Sequence, residues 1–64
     1  MKLLTAVALF RSIDNKDSRT LITSSSVYVN HVIRTDPEED LQAGDQVSVV
    51  GYRGKYIVPA RNRK

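Results

Sequence analysis

The chain contains no cysteine, which excludes disulfides, thiolate metal ligands and cysteine nucleophiles together and leaves hydrophobic packing alone to hold the fold. A chain without thiols suits a reducing cytoplasm, and that is the expected location. Histidine is nearly as scarce. The single one, His31, has no histidine or cysteine at ligand spacing, so a turn residue is expected there rather than a metal ligand. The same scarcity leaves any serine nucleophile without a base and an orienting partner, and no enzymatic activity is expected. The acids between Thr35 and Asp40 lack the regularly spaced carboxylates and central glycine of a calcium loop. No metal, no cofactor and no small-molecule substrate is therefore expected.

Long apolar runs are lacking as well. Leu3-Leu4 and then Ala6 to Phe10 look briefly like a signal peptide, but Arg11 interrupts them and no small-residue cleavage site follows. The run is far too short to span a bilayer, so it reads as a core helix and no membrane partner is expected. With 64 residues there is room for one domain only, and a domain of this size buries roughly 60% of its unfolded surface, which leaves a thin stability margin.

What the sequence does have is uneven charge. Ten Lys and Arg against seven Asp and Glu give a net charge of +3. Five of the seven acids, Asp36, Glu38, Glu39, Asp40 and Asp45, fall in one short window, while Lys2, Arg11, Lys16, Arg19, Arg53, Lys55, Arg61, Arg63 and Lys64 lie outside it. Folding can thus set a basic face against an acidic edge, and a polyanion is the natural partner of the basic side.

Leu3, Val7 and Phe10, with Leu4 and Ala8 beside them, repeat at helical spacing and predict a first helix over 2–11. Asp14 can cap a second helix, with Asp17 in its first turn and Leu21 and Ile22 as its apolar side, which predicts a helix over 15–24. Ser24-Ser25-Ser26 is loop, because serine hydroxyls compete for backbone hydrogen bonds. Val27-Tyr28-Val29, a tight turn at Asn30-His31 and Val32-Ile33 predict a hairpin. Thr35 to Ala43 is an acidic loop with at most one helical turn, tethered by Leu41. After the Ala43-Gly44-Asp45 turn, Gln46 to Val50 alternates as a half-buried strand, and Gly51-Tyr52-Arg53-Gly54 turns the chain into Tyr56-Ile57-Val58. The expected architecture is α+β: two short N-terminal helices packed on a small, mostly antiparallel sheet of about four short strands. One domain is expected over 1–59, ending at Pro59, with a basic disordered tail over 60–64.

Residues 3 to 50 resemble the RNA-binding domain named for ribosomal protein S-four, whose helix-helix-strand core is the alpha-L motif. In that family the second helix reads Ser-x-Ser-Glu-Ala-Arg-Arg-Leu-Ile, followed by a glycine and then Val-x-Val-Asn-Gly. Here Asp14 stands for the capping serine, Asp17 for the glutamate, Arg19 for the first arginine and Leu21-Ile22 for the apolar pair. Val27, Val29 and Asn30 match outright, and Leu41 and Gly44-Asp45 fall where the family has a leucine and a Gly-Asp turn. Three positions depart: Thr20 replaces the second arginine, Ser25 the helix-ending glycine and His31 the hairpin glycine. Thr20 lacks a guanidinium for phosphate contact, and Ser25 and His31 must accept backbone geometry that glycine adopts more cheaply. Val27 to Asn30 and the ending Arg53 to Val58 look most like the tail domain that binds the anticodon arm in bacterial tyrosyl-tRNA synthetases.

The resemblance implies binding of structured RNA, tRNA or ribosomal RNA, by a monomer. Double-stranded RNA is recognised mainly through phosphates and 2′-hydroxyls, which calls for cations and short polar groups on a rigid scaffold. Asn15, Lys16, Arg19 and Thr23 have the spacing to supply these from the second helix, the last three on one stripe opposite Leu21 and Ile22. The amino end of that helix would add free N–H groups, partly offset by Asp14. Arg11 would border the stripe, and Arg53 and Lys55 would extend it from the last turn. Tyr28 is expected to pack in the strand rather than stack on a base. A different class of reading keeps the fold without RNA binding and makes the acidic loop, Asp36 to Asp40, a protein-interaction surface. Another is an unrelated small β-barrel with the first helix peripheral.

Overall fold

Apolar spacing at the start of the chain produces a helix with one side in the core and Thr5 and Leu9 exposed on the other. The computed structural model describes residues 1–60, and in it α1 (Leu3–Arg11) buries Leu3, Leu4, Ala6 and Val7. The second helix, α2 (Asn15–Thr23), contributes Ser18 and Ile22 to the interior. Leu21 is half-buried at the margin, so the inward side of α2 is the Ser18–Ile22 pair one turn apart rather than Leu21 and Ile22. Ser18 is fully buried, and its hydroxyl donates to the Leu4 carbonyl oxygen at 2.7 Å. A small residue is required there for the helices to meet closely, and the hydrogen bond removes the cost of burying the hydroxyl.

Both helices end on non-glycine residues in the left-handed region. Ser12 (φ 57) follows α1, with the Ile13 N–H donating back to the Ala8 carbonyl at 3.1 Å. Ser25 (φ 65) follows α2. There the Ser26 N–H reaches the Leu21 carbonyl and the Ser25 N–H the Ile22 carbonyl, each at 3.2 Å, the Schellman arrangement that normally selects glycine. The extra serine hydroxyls are used: Ser24 Oγ donates to the Leu21 carbonyl at 3.0 Å and lies 3.1 Å from Ser26 Oγ.

Four short strands follow: β1 (Val27–Val29), β2 (Val32–Ile33), β3 (Gln46–Val49) and β4 (Tyr56–Ile57). They form one antiparallel sheet in the order β2-β1-β3-β4. Alternation sorts its two faces. Val27, Val29, Val47 and Val49 are buried and join Leu41, Val58 and the helices in the core, whereas Tyr28, Gln46 and Ser48 on the opposite face are only half-buried. Tyr28 pairs across to Ile33 on one side and Ser48 on the other. With α1 supplying four core residues, the barrel arrangement with a peripheral first helix is replaced by an α+β layer structure. Asn30 (φ 52) and His31 (φ 69) make the β1–β2 turn, in which both central residues need positive φ.

The acidic segment carries turns and an isolated bridge, Lys2 with Asp40, but no helical turn. Its backbone has a specific task. The N-cap position of α1 is Lys2, which makes no side-chain capping bond. Instead the Leu3 N–H donates to the Glu39 carbonyl at 2.8 Å and the Leu4 N–H to the Pro37 carbonyl at 3.0 Å, satisfying donors that a helix start leaves open. The Leu41 N–H returns the contact to the Met1 carbonyl at 2.7 Å, and the Leu41 side chain is buried. Most of the expected tail, residues 61–64, lies outside the described residues.

Candidate nucleic-acid interface

The helical period that buries Ser18 and Ile22 leaves Lys16, Arg19 and Thr23 exposed on a different side of α2, while Asn15, one turn before Ser18, is exposed at the first position of the helix. An ordered outward stripe with two cations therefore exists. Its polar groups are not all available. Thr23 Oγ1 donates to the Arg19 carbonyl at 3.0 Å, and Thr20 Oγ1 to the Lys16 carbonyl at 3.2 Å, so each hydroxyl has its proton engaged and can only accept. The start of α2 is also more occupied than its sequence implies. Asp14 Oδ1 accepts from the Asp17 N–H at 2.9 Å, and Asp17 lies in the first turn. A carboxylate thus takes the Asp17 N–H and puts negative charge at the helix start, which offsets the pull of that end on a phosphate.

Arg11 is held differently. It ends α1 and is half-buried, with its guanidinium carbon 3.6 Å from the Tyr52 ring centroid and 5.8 Å from that of Phe10. Tyr52 belongs to the β3–β4 turn, where its N–H donates to the Val49 carbonyl at 3.1 Å. The contact brings the end of α1 and this turn together, and Arg53 and Lys55 are exposed in the same turn. The stack involves residues far apart in sequence, and Tyr52 was legible beforehand only as a turn residue.

Among the described residues, the basic side chains divide into two sets. Lys2 Nζ lies 3.0 Å from Glu38 Oε1 and Arg34 Nε 2.7 Å from Glu39 Oε1. The hydrogen bond that Lys2 donates to Glu38 and the charge of that carboxylate raise the Lys2 pKa above its ordinary value, with Asp40 and Asp36 adding smaller contributions. Arg11, Lys16, Arg19, Arg53 and Lys55 form no ion pair with a described acid. The acidic loop thus takes the basic residues nearest to it, and the remainder stay uncompensated.

The two motif fragments taken from the family pattern meet each other. Asn30 Nδ2 donates to Asp45 Oδ1 at 3.1 Å, Asn30 Oδ1 accepts from the Gln46 N–H at 3.0 Å, and Asp45 Oδ2 accepts from the Gln42 N–H at 2.8 Å. These bonds, that from Gln42 first and that from Asn30 second, hold the Asp45 carboxyl below the ordinary carboxylate range. Asn30 and Asp45 clasp the β1–β2 turn to the start of β3, a role in the fold rather than a contact held open for a ligand. His31 is exposed in the turn beside them, and no three metal-ligating side chains converge among the described residues. No described helix is long and apolar enough to cross a membrane. Comparison with protein-family models, with curated proteins and with solved structures finds no match in any of the three.

Proposed function

We propose that this chain is a non-catalytic RNA-binding module of the alpha-L type, holding structured RNA, tRNA or ribosomal RNA, through the outer side of α2 with Arg11, Arg53 and Lys55 beside it. The observation that supports this most is the sorting of charge. Lys16 and Arg19 stand outward on an ordered helix with no described acid paired to them, and such a surface attracts a polyanion while contributing nothing to the core. Asn15 adds a short polar group, and Thr23 adds a hydroxyl that can accept from a ribose 2′-hydroxyl. The reading of the acidic loop as a protein-interaction surface is less favoured, because Glu38 and Glu39 are engaged by Lys2 and Arg34, and Asp36 Oδ1 accepts from the Glu38 N–H at 3.0 Å.

The test is an amide chemical-shift titration with tRNA and ribosomal RNA hairpins. Shifts are expected on residues 15–23 and 51–55, with affinity falling steeply between low and physiological salt as counterions are released. Shifts confined to residues 36–40 would replace this reading with the protein-interaction one. Absence of binding at low salt would end it.

A further inference from the structure

We propose that Tyr52 and Arg11 form a stacking platform for one unpaired nucleobase, so that the RNA taken by this surface is a duplex carrying a bulged or looped-out nucleotide. The inference rests on the RNA-binding reading and narrows it.

Tyr52 is 48% exposed and lies outside the core cluster and its packed neighbours, which include Phe10 and Tyr56. What it touches is the Arg11 guanidinium, at 3.6 Å from ring centroid to central carbon, the separation of two planar groups in van der Waals contact. A guanidinium held by its face keeps its edge N–H donors for other acceptors, and no described acid takes them. The cation is thus fixed in place without being neutralised. The ring's own exposure leaves surface open to a ligand, and Gly51 (φ 84) and Gly54 (φ 82), which flank it in the turn, carry no side chain.

A planar π-electron ligand fits this arrangement, because nucleobases stack on tyrosine rings and on arginine planes alike. Arg53 and Lys55, exposed on the same turn, are the cations this turn offers to the phosphates flanking the stacked base. Arg11 and Asn15 are joined by four residue steps, which limits their separation to about 14 Å. One RNA can therefore meet the α2 stripe with its paired region and the platform with a protruding nucleotide. Duplex recognition alone would use the cations of this turn but not the tyrosine.

The test uses the full chain and two RNA hairpins of one sequence, one with a single bulged 2-aminopurine and one fully paired. The 2-aminopurine fluorescence should be quenched on binding, and the bulged hairpin should bind more tightly. Tyr52→Leu should weaken the bulged hairpin by roughly fivefold to a hundredfold and leave the paired one unchanged, with Tyr52→Phe close to wild type. Arg11→Lys, which keeps the charge and loses the plane, should weaken the bulged hairpin selectively. Arg53→Gln should weaken both and lower the salt slope by about one unit. Equal affinity for the two hairpins, or equal losses on both from Tyr52→Leu, would overturn the platform and leave RNA binding standing. Failure of both hairpins to bind would overturn the platform together with the RNA reading.

Discussion

The loop from Asp36 to Asp40 and the outer side of α2 carry charge of opposite sign and use it differently. In the loop, Glu38 and Glu39 meet Lys2 and Arg34, and the backbone between them closes on the start of α1. On α2, Lys16 and Arg19 stand one turn apart with like charge and no described acid paired to either. Neighbouring like charges on a helix cost a few tenths of a kcal/mol and do nothing for the fold. The contrast separates charge that is paired within the fold from charge that forms no ion pair among the described residues.

The largest way to break the comparison is to remove what seats α2. Ile22→Ala should cost about 2–5 kcal/mol, enough in a chain this small to abolish the cooperative transition in chemical denaturation and RNA binding with it. Next comes charge itself. Lys16→Glu with Arg19→Glu should lower the slope of log affinity against log salt by about two units and leave stability nearly unchanged. Arg34→Gln should do the reverse: RNA affinity stays within twofold or so, and stability falls by about 1 kcal/mol or less, as for other partly exposed pairs. If the two substitutions weakened RNA equally, the distinction between the regions would be lost. A smaller sharpening uses Ser25→Gly, which should raise stability by about 0.5–1 kcal/mol by relieving a left-handed serine, read as a shift in denaturation midpoint without change in RNA affinity.

The smallest effect concerns pH. Asp45 titrates below its ordinary value in the fold, so its contribution is fully present above the unfolded carboxyl value near 3.9 or so and is lost as pH falls through the lower folded value. Wild type should therefore lead Asp45→Asn in stability at neutral pH and lose that lead in acid. A lead that persisted unchanged at low pH would mean that the clasp with Asn30 and Gln42 does not depend on the carboxylate.

The helices and hairpins could be read from the sequence because each rests on local rules. The periodicity of Leu3, Leu4 and Val7 and the cap at Asp14 set both helices to within a residue, with Lys2 and Ser24 becoming caps. The hairpin at Asn30-His31 followed from the tolerance of asparagine for positive φ. Ser25, standing where the family pattern has glycine, does adopt the left-handed geometry. Other features depend on distant partners and leave no local mark. Ser18 reads as an exposed polar residue until the Leu4 carbonyl is known to face it. Ser12 gives no sign that it will be left-handed, because the link from Arg11 to Asp14 is too short to carry a turn pattern. For the candidate site, the outward stripe of α2 was legible from helical spacing. The engagement of the Thr23 hydroxyl and the stack of Arg11 on Tyr52 were not, since neither follows from apolar pattern.

The capping of α1 by carbonyls of Pro37 and Glu39 ties the beginning of the chain to its middle. A peptide ending before that loop contains every residue of α1 and yet lacks the groups that complete its first turn. The first turn of that helix is thus completed only when the acidic segment folds back onto it. Cutting the backbone anywhere between 24 and 36 should leave two pieces that are each poorly structured and that regain helix only when mixed.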